Sequence, residues 1–68
     1  MSAQTAAEER NEMAISYIKR IRNAGKREYA TRYLKWILWG IPVPTYYGSY
    51  MAAQAVRMRL SAIMDGDQ

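Results

Sequence analysis

The chain contains no cysteine and no histidine. Without cysteine there is no disulfide, no thiolate nucleophile and no thiolate zinc site. Without histidine the commonest metal ligand and the commonest general base are gone as well. Acidic groups are few. Five of the six, Glu8, Glu9, Glu12, Asp65 and Asp67, belong to the chain ends, and only Glu28 is internal. No Gly-rich phosphate loop, nucleophile elbow or metal-ligand spacing occurs. The run Asp65-Gly66-Asp67 resembles a fragment of a calcium loop but lacks the twelve-residue frame and closing Glu, and it reads as a solvated tail. Neither catalysis nor a bound cofactor or metal is expected.

A long apolar run is missing too, although one window comes close. Residues 36–56 carry no charge, between Lys35 and Arg57, and twenty-one residues is the length of a membrane span. Gly40, Pro42, Pro44 and Gly48 fall inside it. Backbone groups freed from a helix there would need partners within lipid, so a connector between helices is the better reading. The opening MSAQTAAEER is polar and acidic where a secretory signal would be basic and then apolar. The cytoplasm of a bacterial cell is the expected location.

What is present is a chain of 68 residues, half of them apolar, with a net charge of +4. That length makes one domain. A domain so small buries only about 60% of its unfolded surface, and chains of this size often add a metal, a disulfide or a second copy. With the first two closed, a homodimer or a partner is the expected supplement. Charge is uneven along the chain. Residues 19–35 hold seven cations against Glu28, a local balance of +6, which favours a polyanionic or acidic partner.

Helical periodicity predicts an all-α protein, a small three-helix bundle or a helical hairpin plus a third helix, over about residues 6–24, 26–39 and 49–64. Residues 1–5 and 65–68 are expected as frayed tails. Thr5 with Glu8 forms a capping-box pattern. Met13, Ala14, Tyr17, Ile18, Ile21 and Ala24 fall on one face, and Asn23-Ala24-Gly25 is the expected stop. The second helix has a broad apolar face of Tyr29, Ala30, Tyr33, Leu34, Ile37 and Leu38. Trp39 projects to the other side, with Glu28, Arg32 and Lys35. Gly40 and the following prolines end it. Whether the first two helices are separate or one kinked rod is open, because Gly25 is the only strong break between them.

The third helix, opened by Ser49, has two apolar stripes. One is Ala52, Ala53, Val56, Leu60, Ile63 and Met64; the other is Met51, Ala55, Met58 and Ala62. A helix apolar on two faces contacts two things, and Met51, Ala55 and Met58 are the candidate self-association face. Among the aromatics around the connector, Trp36 and Tyr50 are expected to cap the core. Trp39, Tyr46 and Tyr47 are expected to face a partner, since Trp, Tyr and Arg are enriched in binding hot spots.

At YATRYLKW and SYMAAQAVRMRL the sequence resembles small uncharacterised accessory proteins of proteobacterial phages and prophages, over Tyr17 to about Leu60. The hydrophobic WILWGIPVP departs from that pattern. The resemblance implies a phage accessory product that acts without catalysis by occupying a surface of a host protein, as anti-CRISPR and other anti-defence or host-takeover proteins do. The residues expected to bind that host protein are Arg20, Arg22, Lys26, Arg32, Lys35, Trp39, Tyr46 and Tyr47. The second reading is a small nucleic-acid-binding regulator using the cations between Lys19 and Lys35, which could neutralise phosphates. A third is peripheral contact with an anionic membrane, because cations sit beside tryptophans.

Overall fold

A computed structural model describes residues 5–46 and 48–66. It holds three helices, α1 (Ala6–Lys19), α2 (Ala24–Trp39) and α3 (Tyr50–Asp65), each in contact with the other two. The start of each helix is written in its cap. Thr5 Oγ1 accepts from Glu8 N at 3.1 Å, Asn23 Oδ1 from Lys26 N at 2.9 Å, and Ser49 Oγ from Ala52 N at 3.4 Å. Each cap satisfies an amide that the helix leaves without a partner, worth about 1 kcal/mol. At the far end of α2, Gly40 adopts φ 69, and its N–H donates to Trp36 O. Gly66 closes α3 in the same left-handed conformation.

The first turn between helices comes earlier than periodicity predicts. α1 ends at Lys19, and Asn23 is the N-cap of α2 instead of part of a stop for α1. Gly25 therefore lies in the first turn of α2. Arg27 Nη1 donates to Ile21 O at 2.9 Å and fixes the corner. Ile15 and Ile18 share a groove with Arg27, Thr31 and Leu34. In a continuous rod Ile15 and Leu34 would stand about 28 Å apart, so α2 folds back along α1 and the two are separate helices.

α3 runs against α1: Arg59 lies beside Tyr17, Ile63 faces the groove of Glu9, Glu12 and Met13, and Gly66 lies beside Arg10. The same direction carries it alongside α2. Arg57 Nη1 donates to Tyr29 Oη at 3.0 Å, and Tyr50 and Ala53 share a cleft with Tyr29. The connector must therefore return along α2 before α3 begins. Pro44, Thr45 and Tyr46 lie beside Asn23, Gly25 and Glu28, at the start of α2, although the chain leaves that helix at Trp39. The alternating prolines suit this extended return.

The core consists of Ala14, Ile18, Ile21, Tyr29, Ala30, Leu34, Ala53, Val56, Leu60 and Ile63, all buried. Val56 and Leu60 are fully enclosed, and each such side chain contributes about 1.5–3 kcal/mol. The inner stripe of α3 is the predicted one, with Ala52 and Met64 half-buried at its margins. On α1 the predicted face is too wide. Met13 lies about 100° round the helix from Ala14 and is exposed, and Ala24 is exposed in the first turn of α2. Thr5 and Asp65, expected in frayed tails, belong to the first cap and the last helix.

Candidate functional site

The residues predicted to bind a partner fall into three separate places. The first is the corner between α1 and α2. There Arg20, Arg22 and Lys26 line one cleft with Tyr17, Ile21 and Asn23. Arg20 also borders the groove of Glu9, Glu12 and Arg59, so part of its field meets acid from its own chain. Burial pushes the Tyr17 hydroxyl up from its ordinary pKa, against the opposing pull of Arg59.

The second place is the flank of α2 under the returning connector. The Tyr46 ring packs on buried Tyr29, with centroids 4.9 Å apart and planes tilted by 32°. Gly48 allows this closeness, because the Tyr46 ring occupies the space a Cβ would need. Tyr46 thus holds the connector to the core, and its predicted role as an outward anchor does not match this packing. Arg32 pairs with Glu28 at 3.2 Å on the rim of the same groove. Both side chains are at least half exposed, so the pair adds only a few tenths of a kcal/mol. Tyr47 lies outside the described residues.

The third place is the end of α2. Trp39 is 67% exposed, Trp36 is 49% exposed, and Ile41 just beyond the cap is 47% exposed. Glu28, Arg32, Lys35 and Trp39 succeed one another at helical spacing on the outer side of α2, and all four are exposed. Trp36 was expected to cap the core and does not. It lies about 100° round the helix from the middle of the buried face of Tyr29, Ala30 and Leu34, on the far margin beside Tyr29. Tyr50, expected in the same role, is exposed too, at the first position of α3. Sequence reasoning also omitted Ile41, whose signal was its position directly after a helix-ending glycine. From Lys26 to Trp39 is thirteen residues, about 20 Å along the axis, so the basic corner and the tryptophan end are distinct surfaces.

On the outer side of α3, Met51, Ala55 and Met58 are all exposed, as the two-stripe pattern predicts. Among the described residues no cluster of acidic side chains could hold a metal ion, and no helix is long and apolar enough to cross a membrane. The chain is a small all-α, three-helix protein, and large apolar side chains are exposed on α2, on α3 and just after Gly40. Comparison with protein-family models, with curated proteins and with solved structures found no match for it.

Proposed function

We propose that this protein works without catalysis, as an inhibitor or adaptor that docks on a host protein through the end of α2. The observation that carries the reading is Trp39, two-thirds exposed beside half-exposed Trp36 and Ile41. Two indoles left in water on a helix end held by a capped glycine form a pre-ordered apolar surface, and tryptophan is among the residues enriched in binding hot spots. Lys35 and Arg32 lie beside it on the same outer line, so an acidic rim on the partner would be drawn in and oriented. The resemblance to phage accessory proteins supports the same class, that of anti-defence or host-takeover proteins.

The test compares capture from nuclease-treated bacterial lysate by the native chain and by Trp39→Ala. The reading expects a defined partner that the variant loses, with unchanged helicity in both. Equal capture by Trp39→Ala contradicts it.

A second reading, nucleic-acid binding, is favoured by one observation, the convergence of Arg20, Arg22 and Lys26 on a single cleft. Phosphate binding there would weaken steeply with salt and would fall for every sequence when those three are neutralised. Absence of a gel shift at low salt removes it.

A further inference from the structure

The outer line of α3 has the spacing of a coiled-coil seam. Met51, Ala55, Met58 and Ala62 succeed one another at steps of four, three and four, which keeps a narrow strip in phase along a helix. Met51 and Met58 are 77% and 65% exposed, Ala55 is exposed and Ala62 is half-buried. The core residues Val56, Leu60 and Ile63 lie on the opposite side. No charge interrupts the line until Asp65, its next member.

We propose that this line pairs with the same line of a second copy, with the two α3 helices antiparallel about a two-fold axis. Side-chain size sets the register. With Met51 opposite the partner's Ala62, Ala55 falls opposite the partner's Met58, and the axis repeats both contacts. Every thioether then lies over a methyl group, so large and small residues alternate across the seam as close packing requires. A parallel pair in register sets Met on Met and Ala on Ala, and it brings Asp65 against the partner's Asp65.

Charge selects the same arrangement. α3 has no acidic residue in its first turn and ends on Asp65, the reverse of what a helix dipole favours. In the antiparallel register Asp65 comes level with the partner's Gly48. Its carboxylate then faces the amide-rich start of the partner's α3, and the axis makes that contact twice. On one flank, Gln54 and the partner's Ser61 stand about 3 Å apart along the axis and supply a polar rim. The seam is about 16 Å long, less than a standard interface requires, so the pairing belongs to the weak, concentration-dependent class. The line is made of α3 residues alone, so the pairing does not rest on what docks at Trp36 and Trp39 on α2.

Because the native chain has no cysteine, single-cysteine chains read the register directly. Met51→Cys and Ala62→Cys proteins, mixed and oxidised, should give the mixed disulfide as the main product over either homodimer. Predominance of Met51→Cys homodimers overturns the register. Sedimentation equilibrium of the native chain should show dimer growing with concentration. Ala55→Glu should weaken association by about tenfold or more, through a buried charge, while leaving helicity unchanged. A monomer up to millimolar concentration overturns the proposal, and so does a dimer that Ala55→Glu leaves intact. Asp65→Lys should raise the melting temperature of the dilute monomer and yet weaken association. A purely local helix-end role predicts the first effect without the second.

Discussion

Replacing Leu60 by alanine tests the architecture where it is most exposed to refutation. Leu60 is 0% exposed and sits among side chains from all three helices. Truncating such a residue costs about 2–5 kcal/mol, the lost transfer energy plus the cavity left behind. A chain of 68 residues has a total stability of only about 3–10 kcal/mol. Its unfolding entropy is about 140 cal/mol/K, so the same loss lowers Tm by roughly 15–35 °C. Met58→Ala is the internal control. It lies two residues away on α3 but is 65% exposed, so it should change stability by less than about 0.5 kcal/mol. Urea melts followed by circular dichroism at low micromolar concentration measure both, and dilution removes any contribution from self-association. A Leu60→Ala loss under about 1 kcal/mol, or a Met58→Ala loss equal to it, would mean that α3 does not turn this face inward.

Other predictions concern the helix ends and the alkaline limb. Gly40→Ala should cost about 1–2 kcal/mol, because φ 69 is strained for any residue with a Cβ while the surrounding space is open; thermal melts check this. Asn23→Ala should cost about 1 kcal/mol by freeing the amide of Lys26 at the corner, and hydrogen exchange should quicken at the first turn of α2. The Tyr17 pKa is raised on folding, chiefly by burial. Its contribution to stability is therefore fully present below the ordinary tyrosine value of 10.0 and is lost as pH rises through the folded value. Tyr17→Phe should make the alkaline decline in Tm shallower, and an identical decline in both proteins would contradict the assignment.

How much of this was legible in the sequence depends on the kind of signal. α3 could be read almost whole, because Ser49 caps it, Gly66 ends it, and its apolar residues separate into two lines a half-turn apart. The end of α2 was equally plain, since Gly40 and two prolines leave a helix no way to continue. The corner between α1 and α2 misled, because Ile21 keeps the period of α1 after the helix has stopped. The chain turns there because Asn23 offers its side chain to Lys26 N, and an asparagine that starts a helix looks locally like one that ends its predecessor. Periodicity also could not show that the connector returns along α2. That path depends on Tyr46 meeting Tyr29, a contact across seventeen residues with no local signature. For the same reason a single basic and aromatic surface was expected where the fold divides it. Lys26 and Trp39 are near in sequence, yet they stand at opposite ends of a straight helix.

Tryptophan emission tests the central claim most directly. Both tryptophans of the chain, Trp36 and Trp39, lie at the proposed docking end, so the signal has no other source. The free protein should emit as indole in water and be quenched readily by acrylamide. Titration with the captured partner should shift the emission to the blue and protect it from quenching, with Trp39→Ala losing most of the response. Emission that stays red and fully quenchable at saturating partner would show that docking leaves the end of α2 uncovered, and the account would be wrong.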